Sequence, residues 1–375
     1  MEVTELIAQG GHEQVVAFAD ARLGLRGMIA IHSTALGPAL GGIRFWHYAS
    51  DDEVLVDVLR LSGAMTRKAA VAGLRQGGGK TVVRWDDPHR ERTDELRRAI
   101  GRAIHLLGGR YLAAEDVGAT TADMDGIALE TPWVTGIDPA NGGSGDPSPV
   151  TAWGVVHAMY ATCDEAFGDP DLFERRVVVQ GAGHVGAELA RLLVEQGALV
   201  TISDVDSEKV AHVAARLEVD VIPPQHVLET ECDVLAPCAL GGVFRADTVA
   251  GLRCAAVCGA ANNQLADDEA GGALAARGIV YAPDYVANAG GIINIAHEWA
   301  PGGYSEERAR AEVAGIEETT RRVFAIAREE GITPGRAADE LARRRLEADG
   351  GPPYVPGEPS VMRDALLTRW ASLST

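Results

Sequence analysis

Disulfide bonds and metal centres have little support in this sequence, because cysteine is scarce. Five cysteines occur in 375 residues, at Cys163, Cys232, Cys238, Cys254 and Cys258. The number is odd, and a chain of this length does not depend on disulfides to stabilise its core. Cys254 and Cys258 lie in an apolar run typical of a buried strand, and no histidine or aspartate spacing completes a metal-ligand set. We expect buried free thiols and no metal site.

Long hydrophobic runs and a positive net charge are also missing. No apolar run approaches the ~20 residues that span a membrane, and the acidic residues 1–5 lack the pattern of a signal peptide. The 34 lysines and arginines against 54 aspartates and glutamates give a formal charge of −20, which repels nucleic acid and anionic membranes. We therefore expect a cytoplasmic protein whose partners are small molecules, with no nucleic-acid or membrane partner.

The sequence does contain enough apolar residues for a core and an alternation of strand-like and helix-like segments. Hydrophobic residues make up 46% of the chain, and its length predicts about two domains. The alternation is typical of an α/β fold, and the Gly- and Pro-rich residues 141–149 are the best candidate for a linker.

The patterns predict individual strands and helices. A cluster of proline and glycine at 350–359 indicates a mobile tail. The predicted strands are 27–33, 81–85, 111–114, 176–180, 199–203, 234–236, 255–258 and 279–281, and the predicted helices are 53–74, 94–107, 150–167, 184–195, 208–217, 305–329 and 334–347.

One predicted strand runs directly into a glycine-rich turn and a helix. The turn has the pattern G-x-G-x-x-G, with Gly181, Gly183 and Gly186, and such glycines permit a tight turn and the close approach of a pyrophosphate. The next strand is followed by Asp204, 23 residues after Gly181, where an acidic residue can hold the adenosine ribose. An aspartate there repels a 2′-phosphate, which favours NAD over NADP. A glycine turn without a ligand is the alternative.

Two lysines in the first half of the chain are candidates for a functional site. Lys80 follows the three glycines at 77–79, just before a predicted strand. Lys68 shares one face of a predicted helix with Leu61 and Met65, so an ammonium group lies on an otherwise apolar face. In an acidic protein this placement suggests that Lys68 binds a carboxylate. The alternatives are a flexible glycine loop with a solvated Lys80, and a Lys68 that extends to solvent.

A carboxylate follows another predicted strand. Asp116 comes after the strand at 111–114 and opens a glycine-containing loop, and sites in α/β proteins collect at such strand ends. The alternative is an N-cap of the following helix, which Thr120, Thr121 or Asp123 could provide equally well.

Seven ordered motifs resemble the leucine/valine/phenylalanine dehydrogenases, within the glutamate dehydrogenase superfamily. The resemblance extends from about residue 11 to residue 346, which is nearly the whole chain, and is closest to the branched-chain (valine/leucine) enzymes. The motifs are the runs 35–44, 77–80, 114–118, 145–152, 236–241, 258–264 and 281–291.

This resemblance implies reversible oxidative deamination of an L-amino acid to a 2-oxo acid and ammonia, with reduction of NAD. Lys80 would activate water, and Asp116 would exchange a proton with the α-nitrogen. Lys68 and the backbone around Gly41 and Gly42 would bind the α-carboxylate. Asn262 and Asn288 would flank the nicotinamide and the substrate between two domains. The implied cofactor contacts are Thr151, Gly181, Ala182, Gly183, His184, Val185, Gly186, Asp204, Ala239 and Asn262.

The resemblance also implies a domain organisation. We predict an N-terminal α/β domain for substrate binding and oligomerisation at 1–145 and a Rossmann-type NAD-binding domain at 146–325. C-terminal helices at 326–375 would pack back on the first domain. Relatives form dimers or octamers, so we expect a homo-oligomer.

The side-chain pocket is predicted to be apolar. Leu40 and Ile295 stand where glutamate-specific relatives carry a lysine and a serine, and an unpaired carboxylate buried beside them would be costly. A short aliphatic side chain, as in valine or leucine, is therefore favoured. The pocket residues that the resemblance implies are Leu40, Met65, Ala114, Ile292 and Ile295.

Two alternatives to a branched-chain dehydrogenase remain open from the sequence. The first is the same reaction on an aromatic amino acid, phenylalanine or tryptophan. This alternative is suggested by Trp299 and by Arg67 and Ala69, the two neighbours of Lys68. These three residues depart from the family pattern, and His297 departs from it as well. The second is a catalytically silent NAD-binding protein, which would be expected to lack Lys80 or Asp116.

Overall fold

The chain divides into two units, each with its own β-sheet. The computed structural model describes residues 2–87, 89–239, 241–355 and 367–371. The first unit is assembled from three stretches of sequence, Met1–Asp146, Asn294–Glu306 and Ala342–Thr375. The second comprises Pro147–Ile293 and Glu307–Leu341. Both units are α/β, as the alternating segments predict.

Five strands form the mixed sheet of the first unit: β1 (Gln14–Asp20), β2 (Leu25–Ser33), β3 (Ala39–Trp46), β4 (Gly77–Arg84) and β5 (Tyr111–Glu115). Their order across the sheet is β1-β2-β4-β3-β5. The pairs β1–β2 and β2–β4 are antiparallel, whereas β3 runs parallel to both β4 and β5. The carboxyl ends of β3, β4 and β5 therefore lie at the same edge of the sheet.

The helices that cover this sheet are α1 (Val3–Gln9), α2 (Asp51–Val71), α3 (Asp94–His105) and α4 (Thr121–Ala128). Ser50 caps α2 by accepting a hydrogen bond from the backbone N–H of Glu53. Three acidic residues in the first turn stabilise the helix further, because their negative charges lie at the positive end of the helix dipole. The buried face of α2 packs on Ala30 and Val82 of the sheet. Thr120 and Asp123 form a capping box at the start of α4, so Asp116 is not the N-cap of that helix.

Six strands form the sheet of the second unit: β6 (Arg176–Gln180), β7 (Leu199–Ser203), β8 (Asp220–Val221), β9 (Cys232–Pro237), β10 (Cys254–Val257) and β11 (Val280–Tyr281). All neighbouring strands are parallel, in the order β11-β10-β9-β6-β7-β8. The chain thus proceeds outward from β6 in one direction and then from β9 in the other. The reversal between β6 and β9 is the doubly wound arrangement, which binds ligands where the strand order reverses.

The remaining helices are α5 (Ser148–Phe167), α6 (His184–Glu195), α7 (Ser207–Leu217), α8 (Ala246–Val249), α9 (Asp268–Ala276), α10 (Asp284–Ala287), α11 (Gly290–Ala296), α12 (Glu306–Ala314), α13 (Ile316–Glu330) and α14 (Pro334–Asp349). Within the part of the chain that the structure describes, no helix has the length and apolar character to cross a membrane. The five cysteines are free thiols.

One prediction of local structure is wrong, and one alternative is excluded. The helix predicted at 305–329 is two helices, α12 and α13, because the chain tightens at Gly315, whose N–H bonds to the carbonyl of Glu312 three residues back. Gly77–Gly79 is not a flexible loop but the buried start of β4. Of the tail predicted at 350–359, residues 356–359 lie outside the described residues.

Candidate active site

Lys80 and Asp116 meet where β5 ends beside the middle of β3 and β4. Lys80 lies on β4, and Asp116 is the residue after β5, 36 positions further along the chain. Lys80 Nζ is 2.8 Å from Asp116 Oδ2, and the two side chains are 5% and 18% exposed. Both residues proposed for catalysis thus form one largely buried ion pair.

Glycines in β3 allow this pair to form. A Cβ atom at Gly42 would lie 2.6 Å from the Cβ of Asp116, and one at Gly41 would lie 1.7 Å from the carbonyl oxygen of Gly79. Any larger residue would therefore push β4 and Asp116 away. The carbonyl of Gly41 accepts a hydrogen bond of 2.6 Å from the hydroxyl of the buried Tyr111, which fixes the orientation of the Gly41–Gly42 peptide.

A second cation contacts Asp116. Arg44 Nε lies 2.8 Å from Asp116 Oδ2, and Arg44 Nη1 lies 3.3 Å from Asp57 Oδ2 on α2. The hydroxyl of Tyr48 donates to Asp57 Oδ2 at 2.6 Å, and Arg60 donates to Asp57 Oδ1 at 2.8 Å. Sequence reasoning found Arg44 only as part of a motif and did not assign it a contact, because its partners are distant in sequence.

The electrostatics of the pair are set by burial and by these charges. Burial raises the pKa of Asp116, but Lys80 and Arg44 outweigh it and bring the pKa to about 2. Burial lowers the pKa of Lys80, Asp116 partly offsets this, and the charge of Arg44 adds to the lowering. Asp116 is therefore ionised at neutral pH, and Lys80 loses its proton more easily than an ordinary lysine.

The other residues predicted to bind substrate lie on the same sheet and around it. In β3, Leu40 is fully buried, and Gly42 pairs with Ala114 of β5. Met65 and Lys68 are half-buried, one turn apart in α2. Lys68 therefore does not extend fully into solvent.

Ile295 is tied to the edge of the same sheet through Thr135. The hydroxyl of Thr135 donates to the carbonyl of Ile295 at 3.1 Å, and its backbone N–H donates to the carbonyl of Ala113 in β5 at 2.9 Å. Ile295 itself is half-buried. This contact places the end of α11 beside β5, although the two are far apart in sequence.

A buried glutamate anchors the residues that follow Ile295. Glu298 Oε1 accepts hydrogen bonds from the backbone N–H of Gly136 at 2.7 Å and of Ser144 at 3.0 Å, and one from the Ser144 hydroxyl at 2.7 Å. Its other oxygen pairs with Arg369 at 2.5 Å. Sequence reasoning missed Glu298, since its partners lie 154 and 162 residues away for the backbone contacts.

In the second unit, the predicted cofactor turn follows β6 directly. A Cβ at Gly186 would lie 2.0 Å from the carbonyl of Gly181, so the helix approaches the turn closely only because residue 186 is a glycine. Above Gly183 there is open space, with no atom within 4 Å of a Cβ placed there. No side chain caps the start of α6 at His184, and the N-terminus of a helix favours a bound anion. These features fit a dinucleotide pyrophosphate.

Asp204 lies beside this turn. Its Oδ2 accepts a hydrogen bond of 2.6 Å from the N–H of Ala182, and its Oδ1 accepts one of 2.8 Å from the N–H of Asp206. The carboxylate therefore fastens the glycine turn to the end of β7. Its position at the end of the strand after the turn is the one that binds an adenosine ribose.

Two asparagines predicted to lie near the nicotinamide also meet. The side-chain N–H of Asn288 donates to Asn262 Oδ1 at 2.7 Å and to the carbonyl of Ala260 at 3.0 Å. Asn288 is 4% exposed, whereas Asn262 is exposed. The further residues predicted near the cofactor or substrate in this unit are placed as follows: Ala239 is exposed beside Gly181, Thr151 is half-buried in α5, Val185 is half-buried in α6, and Ile292 is buried in α11.

The described residues contain no group of three or more histidine, cysteine, aspartate or glutamate side chains suited to a metal ion.

The doubly wound sheet and its glycine turn define a dinucleotide-binding protein, and a separate sheet carries a buried lysine–aspartate pair.

The chain belongs to the glutamate/leucine/phenylalanine/valine dehydrogenase family. Residues 12–133 match the model "Glu/Leu/Phe/Val dehydrogenase, dimerisation domain". Residues 142–212 and 205–348 match "Glutamate/Leucine/Phenylalanine/Valine dehydrogenase". The chain is therefore an amino acid dehydrogenase, an enzyme that acts on CH–NH₂ donors, and the family resemblance seen in the sequence is confirmed.

Named relatives cover nearly the full length. The chain is 46% identical to leucine dehydrogenase of Thermoactinomyces intermedius over 347 residues, which is 92% of this chain and 94% of that enzyme. It is 48% identical to valine dehydrogenase of Streptomyces virginiae, over 90% of this chain and 94% of that enzyme. The crystal structure of L-tryptophan dehydrogenase from Nostoc punctiforme superposes with a TM-score of 0.80 and 38% identity, covering 92% of this chain and 99% of that one.

Proposed function

We propose that this enzyme catalyses the reversible, NAD-dependent oxidative deamination of an apolar L-amino acid, with valine and leucine favoured. The observation that carries the proposal is the buried ion pair of Lys80 and Asp116. Deamination needs a base that activates water near neutral pH and a group that exchanges a proton with nitrogen. A lysine with a lowered pKa beside an ionised aspartate supplies both.

In the proposed reaction, the backbone at Gly41 and Gly42 and the ammonium of Lys68 bind the α-carboxylate. Lys80 accepts a proton from the water that attacks the iminium carbon, and Asp116 exchanges the proton of the α-nitrogen. Because Lys80 and Asp116 are held 2.8 Å apart, a proton can pass between them. The burial of both side chains limits competition from bulk water.

The residues of the glycine turn and Asp204 would hold the cofactor, which accepts the hydride of the substrate Cα when it is bound. The N–H groups at the start of α6 would bind the pyrophosphate, and Asp204 would bind the ribose. Asn262 and Asn288 would lie near the nicotinamide. The negative charge of Asp204 supports NAD over NADP as the cofactor.

The preference for an aliphatic substrate is supported by the residue types around the site. Leu40 and Ala114 are apolar and buried, and Ile295 is branched and half-buried. Placing a glutamate carboxylate among them without a partner costs several kcal/mol. Apolar pockets separate homologous side chains by only about 1–3 kcal/mol per methylene, so valine and leucine would both react.

A substrate panel tests the function. Formation of NADH is measured by absorbance with each of the common L-amino acids, including glutamate, phenylalanine and tryptophan. We expect kcat/KM for valine or leucine to exceed that for glutamate more than a hundredfold. Tryptophan as the preferred substrate would favour the second candidate, which rests on the similarity to a tryptophan dehydrogenase structure. No reaction with any amino acid would overturn the proposal.

The variant Leu40→Lys sharpens this test. Its ammonium group would lie in an apolar environment unless a substrate carboxylate pairs with it. We expect activity with valine to fall and activity with glutamate to rise from a low base. The matched variant Leu40→Met keeps the volume and the apolar character, so it should keep the wild-type order of substrates. If Leu40→Lys and Leu40→Met gave the same order, Leu40 would not belong to the pocket.

We also propose that the enzyme is a cytoplasmic homo-oligomer, a dimer or an octamer. The match of residues 12–133 to a dimerisation domain supports self-association. Light scattering coupled to size-exclusion chromatography distinguishes a dimer from an octamer. A measured mass equal to that of one chain, 39.4 kDa, would contradict the proposal.

A further inference from the structure

Arg44 has no part in the function proposed above, yet it contacts Asp116 as closely as Lys80 does. The Nε of Arg44 and the Nζ of Lys80 both lie 2.8 Å from Asp116 Oδ2. β3 supplies the arginine, β4 supplies the lysine, and Asp116 follows β5, so three neighbouring parallel strands build the arrangement. Both cations contact Oδ2, and neither of these two contacts involves Oδ1 of Asp116.

Arg44 is held from its other side by α2. Its Nη1 lies 3.3 Å from Asp57 Oδ2, and Asp57 also accepts hydrogen bonds from Tyr48 and Arg60. The side chains of Arg44 and Asp57 are 19% and 17% exposed, whereas that of Arg60 is 53% exposed. Asp116 and Asp57 therefore hold the guanidinium group of Arg44 from two sides.

We propose that Arg44 is a positioning residue for the deamination reaction: it turns Oδ2 of Asp116 toward the two cations and leaves Oδ1 to take the proton of the substrate nitrogen. This inference rests on the proposed function, since Asp116 carries a proton only in that reaction. Arg44 acts through Asp116 and does not itself touch the reacting atoms.

The charges around Asp116 give the inference a signature that a purely structural role lacks. The groups that face the pair are Lys80 and Arg44, Asp57 and Arg60 on α2, Tyr48 just before α2, and Tyr111 on β5. The charge of Arg44 lowers the pKa of both Asp116 and Lys80. Asp57 acts in the opposite direction and raises the pKa of Lys80.

The pH profile of kcat/KM tests this arrangement in the variants Arg44→Gln, Arg44→Lys and Arg60→Gln. Loss of the Arg44 charge should raise the pKa of Lys80, so the limb of the profile that reports Lys80 should move to higher pH by about one unit or more. Arg44→Lys keeps a charge and should restore most of the wild-type profile. Arg60→Gln removes a cation from the other oxygen of Asp57 and should leave the profile within about 0.3 units of the wild type. An unmoved Lys80 limb in Arg44→Gln, or an equal shift in Arg60→Gln, would overturn the inference.

The lysine content of the chain allows the same shift to be measured without turnover. Only three lysines occur, Lys68, Lys80 and Lys209, so a protein labelled with ¹³C at the lysine ε-carbon gives three side-chain signals, and a Lys80→Arg variant assigns one of them. We expect the Lys80 signal to titrate at higher pH in Arg44→Gln than in the wild type.

The variant Asp57→Asn provides a shift of opposite sign and guards against a variant that fails to fold. Because Asp57 raises the pKa of Lys80, its neutralisation should move the Lys80 titration to lower pH. If the wild type is active but the Lys80 titration is the same in both variants as in the wild type, only the proposed role of Arg44 is contradicted. A wild type that reduces NAD with no amino acid would contradict the proposed function instead, so the two failures are distinguishable.

Discussion

Single residues of the site differ in how far the sequence reveals them. Lys80 and Asp116 were predicted because each follows a local signal, a glycine run or the end of a strand, and the structure brings them within 2.8 Å. Arg44 lies within the same motif as Gly41 and Gly42, but its contact with Asp116 joins residues 72 positions apart. No pattern along the chain encodes that contact, since it depends on the order of strands in the sheet.

Replacement of Lys80 by alanine should nearly abolish deamination. General acid–base groups contribute about 10²–10⁴ to the rate, so kcat should fall by at least about a hundredfold. Affinity for NAD should survive, because the glycine turn lies in the other unit. Lys209→Ala is the matched control, since that lysine is 65% exposed and pairs with Asp206. Turnover by NADH absorbance and NAD affinity by calorimetry separate the two effects; near-normal turnover in Lys80→Ala would remove this lysine from the mechanism.

Cofactor choice is expected to depend on the charge of Asp204. The wild type should use NAD with a kcat/KM at least about tenfold above that for NADP, which corresponds to about 1.4 kcal/mol. Asp204→Asn keeps an acceptor for the N–H of Ala182 while removing the charge, so NADP should gain relative to NAD. Asp206→Asn, two residues on, is the control with the same chemical change. Equal use of both cofactors by the wild type would mean that this strand end does not bind the ribose.

At the scale of secondary-structure elements, the sequence predicts best where the local pattern and the packing agree. The bounds of β6, α6 and β7 agree with their predictions to the residue, because a buried strand, a glycine turn and an amphipathic helix each leave a strong signal. β1 and β3 were not predicted as strands. In β3 two consecutive glycines interrupt the alternation of side chains that indicates a strand. These glycines allow the close approach of β4 and Asp116 and do not form a turn.

Gly42→Ala should therefore damage the site more than it damages the fold. The added Cβ would lie 2.6 Å from the Cβ of Asp116 and from the carbonyl of Glu115, and overpacking of this kind costs about 1–3 kcal/mol. We expect a loss of stability in that range and a loss of kcat beyond tenfold. Gly272→Ala is the control, because a Cβ there meets no atom within 4 Å and alanine favours the helix by about 0.5–1 kcal/mol. Wild-type turnover in Gly42→Ala would show that Asp116 has room to move.

At the scale of the whole molecule, acid stability should fall in two stages. Burial lowers the pKa of His32 to about 4, and the charges of His12 and Arg67 add to this. A histidine with a lowered folded pKa favours the fold above its unfolded pKa of 6.5, and that contribution is lost as the pH falls toward 4. Asp116, with a pKa of about 2 against 3.8 when unfolded, loses its contribution only at lower pH.

The first stage is testable with His32→Asn. A shift of this size corresponds to about 3 kcal/mol, so the wild-type free energy of unfolding should decrease by up to that amount between pH 6.5 and 4. The variant should show a flatter dependence in this interval while retaining the loss below pH 4. Urea denaturation at a series of pH values gives the free energies. Parallel curves for the wild type and His32→Asn would exclude His32 as the source.

The three-stretch construction of the first unit bears on how the molecule is made. Arg345 donates hydrogen bonds to the carbonyls of Ala70 and Leu74 at the end of α2, and Arg369 neutralises the buried Glu298. Both arginines are synthesised after the residues that they contact, because they lie at positions 345 and 369. Until then the carboxyl end of α2 and the buried carboxylate have no such partners, and the nascent first unit is less stable than the finished one. The unit that carries the ion pair thus reaches its full stability only after Arg345 and Arg369 have been synthesised.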